Sequence, residues 1–107
     1  MDQQIVGKHE VDAAGNPAGG VTTGTGIDIR WQDGPLGIDE MRREPNGAFV
    51  EGVINAALNR LEWYQASQFK CRENAIAITK LEEAVHWLKA RTSRRTTQGV
   101  EGTHQGN

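Results

Sequence analysis

The residues best able to do chemistry in this 107-residue chain stand near its C-terminal end, in the stretch WLKARTSRRTTQGVEGTH from Trp87 to His104. Lys89, Arg91, Arg94 and Arg95 crowd together behind Trp87, with Lys80 and His86 upstream, and Gly99, Gly102 and Gly106 follow. Guanidinium groups grip phosphate oxygens through paired N–H donors. Glycines let backbone N–H groups approach an anion closely, and Thr96, Thr97 and Thr103 add hydroxyls. A phosphate-bearing ligand suits this pattern. The same residues also read as a basic last helical turn, which the macrodipole favours by roughly 0.3 to 1 kcal/mol per cation with nothing bound, followed by an unstructured terminus.

A second group of residues lies upstream. Cys71, Ile78, Leu81, Val85 and Leu88 form a heptad-like apolar seam, and Asn74 and Arg95 interrupt it at its two ends. Arg91 and Arg95 are four apart, so they share a helix face on which like charges repel by about 0.2 to 0.5 kcal/mol. Asn74 reads either as a buried registry residue or as an amide edge for a ligand; Tyr64 reads either as core with its hydroxyl at the rim or as a stacking face. Both flank one short loop, and an aromatic face beside an amide suits a purine base.

Charge and composition narrow the classes. The net charge is −2 and the isoelectric point near 5.9, so a general nucleic-acid coat is not expected and any anion site is local. A lone Cys71 allows no intrachain disulfide and no thiolate zinc cluster. His9, His86 and His104 lack metal-ligand spacing, and neither His86 nor His104 has a persuasive nucleophile or base beside it. Glu73 is the carboxylate beside Asn74 at the Tyr64/Asn74 end. No catalytic residue, metal or cofactor is therefore expected. The opening MDQQIVGKHEVD is polar, and no apolar run approaches the ~18 residues of a membrane span, which predicts a soluble intracellular protein.

The elements that must position these residues are legible from periodicity. Val21, Thr23, Thr25, Ile27, Ile29 and Trp31 alternate with Thr22, Gly24, Gly26, Asp28, Arg30 and Gln32, which predicts one strand with a covered face. A shorter strand near Gln4 to Glu10 precedes it across AAGNPAGG, whose Gly, Asn and Pro supply turn dihedrals. Val50, Val53, Ile54, Ala57, Leu58, Leu61 and Tyr64 recur at three- and four-residue steps and predict an amphipathic helix over about 49–65. After QASQF, a second helix runs from about Lys70 to Thr96. The expected fold class is α+β, an N-terminal antiparallel β-hairpin followed by a long antiparallel two-helix hairpin, in an oligomer. The expected organisation is one domain with a β-rich part over 1–46, the helical hairpin over 47–98 and a glycine-containing tail over 99–107.

One constraint follows from helix geometry. Asn74 and Arg91 lie 17 residues apart, about 25 Å at the usual rise, so one small ligand cannot touch both within one chain. If they belong to one site, a second subunit runs antiparallel to the first, and a two-fold dimer then carries two identical sites.

Several stretches resemble a known family: WQDGP, the NG before the first helix, RLEWYQ, the ENAIAITKLEEA segment and above all RR with GVEGTH. Over roughly Trp31 to His104 the chain is similar to the phage Thoeris anti-defence sponge proteins, whose helical hairpin is shared with the phage anti-CBASS sponges. The resemblance implies a protein without enzymatic activity in the host bacterial cytoplasm. Such a protein binds a cyclised ADP-ribose (glycocyclic ADP-ribose) and holds it intact, as a dimer or as a hexamer built as a trimer of dimers. It implies further that Tyr64 stacks on the ligand, Asn74 contacts it through its amide, and Arg91 and Arg95 hold the pyrophosphate. Tyr64 departs from the phenylalanine expected there, adding a hydroxyl that bears on isomer preference. Cyclic di- or trinucleotides are implied at a separate site, for which Thr79, Lys80, Gly102 and Thr103 are the candidates. Arg42 and Arg43 are open between a second anion site and no role. Three rivals stand beside this reading: a hydrolase that degrades the signal, a small helical regulator that binds nucleic acid through Arg91, Arg94 and Arg95, and a purely structural oligomer that binds no nucleotide. No duplex nucleic acid or membrane partner is expected.

Overall fold

The computed structural model describes residues 4–99 and 101–104, which form two compact units. The first holds the described residues before Val50 together with 101–104; the second is Val50–Gly99. Residues 1–3, Val100 and 105–107 lie outside the described residues, and with them parts of the expected N-terminal region and glycine tail, Gly106 included.

The first unit is built on a three-stranded antiparallel sheet, β1 (Val6–Val11), β2 (Pro17–Gly24) and β3 (Ile27–Arg30), in the order β1-β2-β3. Here the structure corrects the single strand expected over 21–32. The chain turns at Thr25-Gly26, pairing Gly24 with Ile27 and Val21 with Arg30. Gly26 takes a φ of 74°, a left-handed conformation that glycine adopts without penalty. Because directly opposed residues share a face, the turn reverses the parity of the run. Ile27 and Ile29 therefore share a face with Gly24 and Thr22, and Val21 and Thr23 lie on the other with Asp28 and Arg30. Trp31 confirms the choice of face by donating its indole N–H to Thr22 Oγ1 at 2.7 Å.

The AAGNPAGG segment is also only partly a turn. Asp12 closes it, its Oδ1 accepting the N–H groups of Ala14 and Asn16 at 2.9 Å each, after which Pro17 opens β2, a position where its missing N–H costs little. The Asn46-Gly47 pair lies at the sheet rather than acting as a bare helix entry. Asn46 and Asp33 bond reciprocally at 2.8 and 3.0 Å, and Ala48 bridges Trp31 beyond β3.

The second unit is the expected helical hairpin, α1 (Val50–Gln65) and α2 (Arg72–Gln98). The helices pack along their apolar stripes, and Leu58 and Val85 are the buried hydrophobic residues. Cys71 caps α2, its Sγ accepting the Asn74 N–H at 3.4 Å. Gly99 ends the helix, its N–H turning back to the Arg95 and Thr96 carbonyls. Two buried apolar side chains are few for a stable unit, and Val50, Trp63, Phe69, Ile76 and Trp87 remain exposed, Trp87 by 71%. No helix among the described residues is long and apolar enough to cross a membrane.

Candidate functional site

The connector between the helices is braced by its own side chains. Gln65 grips Cys71 twice, accepting its N–H at 2.9 Å and donating to its carbonyl at 3.1 Å. Ser67 donates its hydroxyl to the Tyr64 carbonyl at 2.6 Å and accepts the Phe69 N–H at 3.0 Å. This network fixes the end of α1 against the start of α2, so the residues expected to meet a base, Tyr64 and Asn74, flank a stitched loop. Both are half-buried.

The aromatic end carries more than the sequence reading named. Trp63 and Tyr64 meet edge to face, with centroids 5.4 Å apart at 62°. The Arg60 guanidinium lies over both rings, 4.6 Å from the Trp63 centroid and 4.9 Å from that of Tyr64. The signal was present in the sequence, since positions i, i+3 and i+4 of a helix share a face.

The basic end of α2 divides its two arginines. Arg91 is exposed, whereas Arg95 is 7% exposed, the one buried charged side chain among the described residues. The helix is continuous from Arg72 to Gln98, so the structure leaves Tyr64 and Asn74 at one end and Arg91 and Arg95 at the other within a single chain, as the spacing required. Thr79 and Lys80 lie midway, both exposed. The Thr79 hydroxyl donates to the Ala75 carbonyl at 3.2 Å, and Lys80 pairs loosely with Glu83 at 3.8 Å.

Gly102 and Thr103 belong to the first unit, where their segment acts as a latch. Gly37 donates its N–H to the Gly102 carbonyl at 2.9 Å. Arg42 forms a two-pronged pair with Glu101 at 2.7 and 2.9 Å, and this hydrogen-bonded carboxylate raises the guanidinium's pKa. Arg43 donates to the Pro35 carbonyl at 2.8 Å. His104 Nδ1 lies 3.2 Å from the Asn16 amide and 3.9 Å from Asp12. The Asp12 carboxyl is held below its usual range chiefly by the Asn16 N–H, with His104 a minor contributor. Arg42 and Arg43 thus both fasten the loop over 35–43.

Gly102 holds a φ of 81°, and a Cβ there would collide with the Gly37 carbonyl oxygen. Gly102→Ala is expected to destabilise the first unit by roughly 1 to 3 kcal/mol. Amide hydrogen exchange will show this as faster exchange at Gly37; unaltered protection would contradict the latch.

A cavity of about 300 Å³ lies on the sheet, lined by Glu10, Gly20, Val21, Arg30, Trp31, Asp33 and Asn46. None of the eight expected ligand residues lines it. No group of three or more potential metal ligands occurs among the described residues.

Comparison with known proteins places these residues in a family context. The model of the Acb2/Tad1 hairpin domain matches residues 24–93, which include Tyr64, Asn74, Thr79, Lys80 and Arg91 but not Arg95, Gly102 or Thr103. A curated relative, "Thoeris anti-defense 1" of Bacillus phage SBSphiJ7, is 55% identical over 77 residues, 72% of this chain and 51% of that protein. The chain spans about half the length of this relative.

Proposed function

The chain belongs to the Acb2/Tad1 hairpin family, and on that premise we propose that it is a phage anti-Thoeris sponge, which captures a cyclic ADP-ribose signal in the host cytoplasm and does not degrade it. The observation that carries this reading is the 55% identity to a relative named for Thoeris anti-defence. The ligand is glycocyclic ADP-ribose. Tyr64 stacks on its base, Asn74 meets the base edge, and Arg91 and Arg95 of a second copy hold the pyrophosphate. The separation of the two groups along α2 supports a two-fold dimer with two sites, and the exposed apolar residues of the hairpin supply surface for assembly, up to a trimer of dimers. Thr79 and Lys80 on the helical hairpin, and separately Gly102 and Thr103 on the first unit, are candidates for contact with a cyclic di- or trinucleotide.

Sequestration needs slow release and no bond-making. Stacking contributes roughly 1 to 3 kcal/mol per base, and charge-assisted bonds to phosphate strengthen where water is excluded. Holding a scarce signal calls for micromolar affinity or better, about −8 kcal/mol or beyond. Calorimetric titration with glycocyclic ADP-ribose, read beside light scattering, tests the proposal. The expected result is sub-micromolar binding with one ligand per chain in an oligomer; no binding at millimolar ligand would overturn it.

A further inference from the structure

The Arg60 guanidinium carbon lies over two aromatic rings that are inclined at 62° to each other, and its N–H groups are the part of the cluster still to be accounted for. A guanidinium held against aromatic rings by cation–π attraction still carries five N–H donors, to which the ring faces offer no lone pair. Among the described residues no carboxylate or carbonyl accepts from Arg60, although elsewhere the chain pairs Arg42 with Glu101 and Arg43 with Pro35. Arg60 is exposed, and so is Trp63, by 58%. The cluster therefore presents to solvent an oriented cation with free donors, held by an indole on the residue next to the ring assigned to the base.

We infer that Arg60 is a third arginine of the nucleotide site, a specificity-determining residue held in place by Trp63 and Tyr64 whose N–H edge donates to a phosphate of the ligand stacked at Tyr64. This rests on the sponge reading above. Arg60 covers one face of the Tyr64 ring, so the base takes the face that Arg60 leaves open. A ligand whose phosphates are tied back toward its base by cyclisation reaches both groups at once. An uncyclised ADP-ribose must give up conformational freedom to do so, and the arrangement thereby favours the closed signal over its linear counterpart.

Arg60→Ala, Arg60→Lys and the parental protein, each titrated with glycocyclic ADP-ribose and with linear ADP-ribose at two salt concentrations, decide the matter. Arg60→Ala is expected to bind the cyclic ligand about tenfold more weakly, to discriminate less between the two ligands, and to lose part of the salt dependence of binding. Arg60→Lys recovers only part of the affinity, because an ammonium lacks the flat donor fork. A thermal melt that matches the parental protein accompanies these changes. Arg60→Ala binding within twofold of the parental protein, or weaker binding with unchanged salt dependence, would overturn the inference and leave the sponge intact. A parental protein that binds neither ligand would remove both.

Discussion

Arg91→Ala is expected to abolish capture of the cyclic signal in the working concentration range while leaving the fold untouched. Truncating one partner of a desolvated charge pair costs about 2 to 5 kcal/mol, roughly 30-fold to several-thousand-fold in affinity. Arg91 is exposed in the single chain, and a surface substitution of that kind shifts stability by no more than about 0.5 kcal/mol. Calorimetry paired with a thermal melt separates the two effects. Binding within threefold of the parental value would remove Arg91 from the site.

Arg95 is a poorer probe, although the family resemblance ranks it equally. It is buried and makes contacts within the fold, so its truncation leaves the groups around it unsatisfied. Loss of capture in Arg95→Ala would mix a missing ligand contact with a disturbed helix end. Arg91 carries the cleaner test.

The second large effect belongs to Tyr64. Tyr64→Ala removes the stacking face and is expected to weaken binding by about 1 to 3 kcal/mol, a factor between roughly 5 and 150. Tyr64→Phe keeps the face and should bind within a few fold of the parental protein, with any change falling on the preference between glycocyclic isomers. Competition between two isomers on the parental and Tyr64→Phe proteins reads that preference directly. If Tyr64→Phe lost as much affinity as Tyr64→Ala, the hydroxyl and not the ring would hold the ligand.

The helices were the most legible part of the chain. Apolar side chains from Val50 to Tyr64 and from Ile78 to Leu88 recur with helical period, and α1 and α2 lie where that period puts them. The sheet was harder to read. A two-residue turn at Thr25-Gly26 reverses the pairing of the faces, yet β-branched residues occur on both sides of it, so alternation alone runs through the turn without a break. Only Gly26 marked it, and Gly24 beside it has the same composition without the turn role. At the site, the separation of Asn74 from Arg91 followed from helix rise alone. The Arg60 cluster followed the same spacing rule but did not stand out, because an arginine four residues before a tyrosine is ordinary in a surface helix. The burial of Arg95 and the pairing of Glu101 with Arg42 depend on long-range folding, which local pattern does not encode.

The latch changes how the C-terminal glycines are understood. GVEGTH resembles an anion cradle in composition, but in the structure Glu101 meets Arg42, Gly102 meets Gly37, and His104 sits beside Asn16 and Asp12. Those contacts give Glu101, Gly102 and His104 structural roles within the first unit.

The central claim is capture without chemistry, and the fate of the ligand tests it most directly. The protein is incubated with glycocyclic ADP-ribose until the free signal is depleted, then heat-denatured, and the released small molecules are separated and weighed by mass spectrometry. The sponge account predicts that the ligand returns intact and in the amount bound. Recovery of a linear or hydrolysed product in its place would contradict it and make the protein an enzyme that destroys the signal.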